Sequence, residues 1–152
     1  MKFLVTNELR LNPLLRLLVA FFVVMMMLFI LSDIALFHYQ IGLTPQKATL
    51  SLLGDEEAFI EPMLFDVLLE RVHVTLFISM ITLATLVSIY IRVVKPTTYR
   101  IVHTVFLSAV GTPVLLLFGY FVVQIFIALS IGLFLLWHGC ALYMCVVILK
   151  RL

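Results

Sequence analysis

Four histidines and two carboxylates carry whatever chemistry this chain could perform inside a membrane. His38, His73, His103 and His138 fall one to each of four apolar stretches or to its edge. Neutral imidazoles on facing helices are how membrane bundles hold haem iron, so this layout raises haem b as an expectation. Two ligands of one haem must share a depth. His38 lies 22 residues after Arg16, and His73 lies 19 residues before Arg92. At about 1.5 Å per helical residue their heights agree within about 5 Å. His103 and His138 differ by roughly 13 Å on the same measure. His38 and His73 are therefore the candidate ligands for haem or another bound metal, with Asp33 and Glu70 placed to orient or pair with them. His138 is a lesser cofactor-binding candidate. It sits deep beside Trp137, where an ionisable residue marks a functional site or hydrogen-bonds to a neighbouring helix as a neutral imidazole.

Other chemistries fit less well. Glu70-Arg71-Val72-His73 has the Glu-x-x-His spacing of di-iron bundles, but such sites need two copies and two further carboxylates. Only one copy is present. Cys140 and Cys145 lie five apart, a spacing that suits neither a zinc knuckle nor a redox pair, and they read as small apolar residues. There is no Gly-rich phosphate loop, no nucleophile with a base, and no basic aromatic patch for nucleic acid. No catalytic residue set emerges, so the chain is not expected to be an enzyme on its own.

The elements that must position these residues are set by apolar length. The chain has 152 residues, 64% hydrophobic and 12% charged, against about 25% charged in soluble domains. The apolar residues gather into runs that predict an all-α polytopic membrane protein, a bundle of four transmembrane helices over about 13–37, 64–94, 100–118 and 123–149. Asn12-Pro13 supplies a cap and first helical residue for the first span. Thr44-Pro45 does the same for a short amphipathic surface helix ending at Gly54. Lys95-Pro96-Thr97-Thr98 reads as a tight connection, Gly111-Thr112-Pro113 as a kink, and 119–124 as the last turn.

Charge sets the orientation. The N-terminus, the 92–100 connection and Lys150-Arg151 carry eight of the ten Lys and Arg residues, all on one side of a four-span chain. The 38–63 connection on the other side is acidic. The positive-inside rule then places both termini in the cytoplasm and the amphipathic helix outside.

From Leu43 to Leu83, the residues Gly54, Glu56, Glu57, Phe59, Pro62, Leu68, Leu69, Glu70, His73, Leu76 and Phe77 carry a resemblance. The stretch resembles an uncharacterised family of small four-span proteobacterial inner-membrane proteins, which implies a bacterial inner-membrane location and no established activity. The one-histidine-per-helix layout is also loosely similar to membrane cytochrome b anchors of respiratory enzymes. The expectation is an accessory or anchor subunit of an inner-membrane complex, in contact with lipid and with other membrane subunits or copies of itself. It would bind one haem b or a quinone near the outer leaflet for electron transfer. The alternative is a non-redox protein whose Asp33, His38, Glu70 and His73 cluster is structural or senses pH, lipid or a partner.

Overall fold

The computed structural model describes residues 13–94, 99–122 and 124–152. They form α1 (Pro13–Gln40), α2 (Pro45–Leu53), α3 (Phe65–Val94), α4 (Arg100–Phe121) and α5 (Ile125–Arg151). Among the described residues the only β-type pairing is an isolated bridge between Asp55 and Ile60. α1, α3, α4 and α5 are each long and apolar enough to cross a membrane. The protein is thus an all-α multi-pass bundle whose outer faces meet lipid. The Asn12 cap and the connection over 95–98 lie outside the described residues. α1 runs three residues past its expected end, because Leu36, Phe37 and the aromatic Tyr39 continue the helix to Gln40.

α5 is the centre of the bundle. Its buried residues Ile127, Ile131, Phe134, His138, Ala141, Cys145 and Ile148 recur every three or four positions, and Ser130, Trp137 and Met144 extend burial to a second face. It packs against α1, α2, α3 and α4. Between lipid-bathed helices there is no hydrophobic driving force, so close packing and hydrogen bonds hold such a bundle together. The α4–α5 hairpin shows this most clearly. A Cβ on Gly119 would stand 2.5 Å from Ile127 Cγ1 and 2.9 Å from the Ile127 nitrogen. Only a glycine lets the two backbones approach this closely.

α1 reaches the bundle chiefly through α5, while α3 leans on α4 and α5. Pro113 sits inside α4, and the helix continues through it with Thr112 Oγ1 donating to Ser108 O at 2.8 Å. The apolar core divides into two clusters along the bundle. One contains Val23, Ile30, Leu86 and Trp137 toward the end bearing Pro13 and Arg151. The other contains Phe37, Ile41, Leu52, Leu68 and Phe134 toward the end bearing α2.

α2 closes that second end. Thr44 Oγ1 accepts from the Lys47 N–H at 3.4 Å, Pro45 opens the helix, and Gly54 ends it at φ +74°. Ala48 and Leu52 turn inward. The loop that follows is tied by reciprocal Asp55–Ile60 backbone bonds of 2.9 and 3.0 Å. Its tip is Phe59, held at φ +54° and 95% exposed.

Candidate functional site

Asp33 turns inward because of its place on the buried stripe of α1. It follows Ile30 by three residues and precedes Phe37 by four, so all three share one face. His138 holds the matching place on α5, four after Phe134 and three before Ala141. The two helices run antiparallel, and Phe37 stacks on Phe134 with ring centroids 4.0 Å apart. One turn deeper on each helix, Asp33 meets His138. Asp33 Oδ2 lies 2.9 Å from His138 Nε2. The pair sits where the two apolar clusters meet.

The other ring nitrogen fixes the proton count. His138 Nδ1 lies 2.8 Å from the Phe134 carbonyl oxygen, which can only accept, so Nδ1 carries hydrogen. The Nε2–Oδ2 contact then holds one further proton. It resides either on the imidazole, giving an ion pair, or on the carboxyl, giving a neutral pair. The sum of charges is zero in both arrangements. That is how a histidine 1% exposed and a carboxylate 27% exposed coexist inside an apolar bundle.

Beside Asp33 a cleft of about 710 Å³ opens between α1 and α3, with Trp137 of α5 at its floor. Small side chains make the room: Ser32 on α1, and Thr75 and Ser79 on α3. Arg71 and Glu70 line the α3 wall. The Arg71 guanidinium lies 5.6 Å from the Phe37 ring centroid and within electrostatic reach of Asp33. The Trp137 ring packs 3.7 Å, centroid to centroid, from His138. Its buried Nε1–H has no hydrogen-bond partner among the described residues. Tyr120 of α4 pins the segment before α3, its hydroxyl donating to Met63 O at 3.1 Å.

The structure therefore brings Asp33, Glu70 and His138 into one site and leaves His38 and His73 outside it. Both of the latter are exposed, and neither lines the cleft. Each follows a buried residue, Phe37 and Val72, and a step of about 100° carries it off the inward face. His103 is also exposed, near the start of α4. Both His138 nitrogens are engaged, so neither is left for iron. Among the described residues no three His, Cys, Asp or Glu side chains converge as a metal site. The expected residue set missed Arg71 and Trp137. The signal that could have found the central pair is that Asp33 and His138 are both deep in spans, and neither has a Lys, Arg, Asp, Glu or further His within one turn of its own helix.

Residues 42–152 match the model of a family described as a transmembrane helical domain. The match takes in α2 through α5 and leaves out α1. No curated protein and no solved structure matches the chain.

Proposed function

Since the chain belongs to the Aq_1264_TM family of transmembrane helical domains, we propose that it is a membrane-embedded binding subunit whose cleft takes a ligand from the lipid phase. It would serve as an accessory or anchor subunit of a larger bacterial inner-membrane complex. The observation that carries this is the cleft itself: it opens sideways between α1 and α3, has largely apolar walls, and carries the polar groups Asp33, Glu70 and Arg71 along them. A ligand dissolved in the bilayer can enter such a site without leaving the membrane. Charge asymmetry supports cytoplasmic termini, which puts the cleft in the outer half of the bilayer.

Haem b is the weaker reading, because the two histidines expected to ligate it lie off the cleft. The same difference spectrum that would reveal a cytochrome, dithionite-reduced minus oxidised, is expected to lack an alpha band. A band abolished by His73→Ala would reverse that judgement.

Trp137 is the only tryptophan in the chain, so its emission reports on the cleft floor. In bilayers of dibrominated phosphatidylcholine its fluorescence should be quenched relative to unbrominated lipid, and Thr75→Phe, which fills the cleft, should protect it. Emission unaffected by brominated lipid would remove the lateral-cleft reading. For orientation, Glu56→Cys should react with a membrane-impermeant maleimide added outside intact cells; labelling only after lysis would invert the topology.

A further inference from the structure

We propose that the head group received by the cleft is a quinone-type ring, seated between Asp33 and Arg71, with the proton-holding Asp33–His138 pair as its hydrogen-bond partner. The inference rests on the lateral-cleft reading and specifies its ligand.

Charge favours a neutral head. The ionisable groups at the site are Asp33 on α1, Glu70 and Arg71 on α3, and His138 on α5. The Asp33–His138 pair sums to zero, and Glu70 and Arg71 offset each other. An anionic head such as a phosphate would face two carboxylates; an ammonium would face the guanidinium. A neutral head meets no opposing charge.

Depth favours it too. Asp33 lies seven residues from the end of α1 at Gln40, about 10 Å along the axis. Ionic heads are expensive at such depth, whereas a weakly polar ring is not. The cleft continues inward past Asp33 to Phe29, Ser79 and Trp137. An acyl tail could fill that inner end but could make no use of the polar groups above it. A ring head there uses both, with its chain leaving between α1 and α3.

Donor and acceptor chemistry favours a quinone-type ring. A ring carbonyl only accepts, and Arg71 only donates. The hydroxyl of the reduced ring also donates. Asp33 Oδ2 is committed to His138, which leaves Oδ1 as an acceptor for that hydroxyl. The Arg71 donor and the Asp33 acceptor thus face each other from the two walls of a space of about 710 Å³, within the roughly 300–1,000 Å³ range of small-molecule sites. The proposal concerns binding of both forms and assigns no electron transfer.

The test is a titration of the full chain in unbrominated phosphatidylcholine nanodiscs with decylubiquinone and with decylubiquinol, read by Trp137 emission. Saturable quenching is expected for both. Arg71→Gln should raise the half-saturation concentration about tenfold, the effect of losing one charge-assisted bond. Asp33→Asn should weaken the quinol more than the quinone, a difference that a merely structural role would not produce. Thr75→Phe should abolish saturation without touching any charge, which keeps the test intact if Arg71→Gln fails to fold. His38→Ala and His73→Ala should change nothing. Quenching that rises linearly, and equally in the wild type and Thr75→Phe, overturns the proposal. If brominated lipid still quenches in that case, the cleft stands and only its ligand is wrong. If brominated lipid also fails, the cleft reading falls with it.

Discussion

Replacing Asp33 by Ala and His138 by Phe, singly and together, measures how firmly the pair joins α1 to the bundle. The single values mix opposing terms. Asp33→Ala strands a buried Nε2 at a cost of about 1–3 kcal/mol. It also removes a carboxylate from the membrane, where one at a span centre would cost about 2.5–3.5 kcal/mol and one at this depth less. Coupling energy is the cleaner quantity. Side-chain hydrogen bonds between membrane helices average about 0.6 kcal/mol and reach about 1.7. This one belongs near the top of that range. It is 2.9 Å long, it is ionic or strongly polarised, and His138 is locked by its second bond to Phe134 O. Cleft exposure of Asp33 holds it from rising further. The expected coupling is therefore about 1–2 kcal/mol, or about 5- to 30-fold in the unfolding constant. Phe is chosen at 138 to fill the space beside Trp137 and Phe134. Steric trapping between α1 and α5 in lipid bicelles supplies the equilibrium. If the two substitutions add within about 0.3–0.5 kcal/mol, the pair does not act as a unit and Nε2 and Oδ2 share no proton.

Gly119→Ala should cost about 1–3 kcal/mol in the same assay, because the new methyl has the Ile127 backbone in its way. Gly132→Ala, on the same hairpin with nothing within 4 Å of the added carbon, should be neutral or gain up to about 1 kcal/mol from helix propensity; equal losses at both sites would contradict the packing described. Gly54→Ala meets both a left-handed φ of +74° and the Ile60 carbonyl oxygen at 2.6 Å. It should loosen the 55–61 loop by about 2–4 kcal/mol, seen as faster protease cleavage there. Phe59→Asn should do the reverse, slowing amide exchange in that loop by relieving about 0.5–1 kcal/mol of backbone strain, since Asn tolerates positive φ.

The spans and the surface helix were legible because their signals are one-dimensional. Apolar length identifies a crossing, and Thr44, Pro45 and Gly54 punctuate α2 whatever lies around it. Azimuth was not legible. α1 and α5 are apolar on nearly all sides, so hydrophobic pattern alone does not tell which face of either turns inward. His38 was therefore given the ligand's place and Asp33 a supporting one, although His38 lies beside the Phe37 stripe and Asp33 on it. Height was no guide to this pair. Counted from Arg16 and Lys150, Asp33 and His138 fall about 7 Å apart along the helix axes, an offset that the two side chains span to meet at 2.9 Å. Arg71 was visible as a charge near a span that Asp33 could face, but its place over the Phe37 ring is encoded by no local pattern.

The 105 residues separating Asp33 from His138 also have a meaning in time. During synthesis α1 enters the bilayer long before its partner exists. At about 5–20 residues per second, Asp33 waits roughly 5–20 s for His138 to leave the ribosome. For that interval its carboxyl must stay protonated, reach toward the interface, or be held by the insertion machinery. The hydrogen bond between Asp33 and His138 can thus form only once α5 has followed α1, α3 and α4 into the bilayer, and α5 acts as the keystone around which those earlier spans settle.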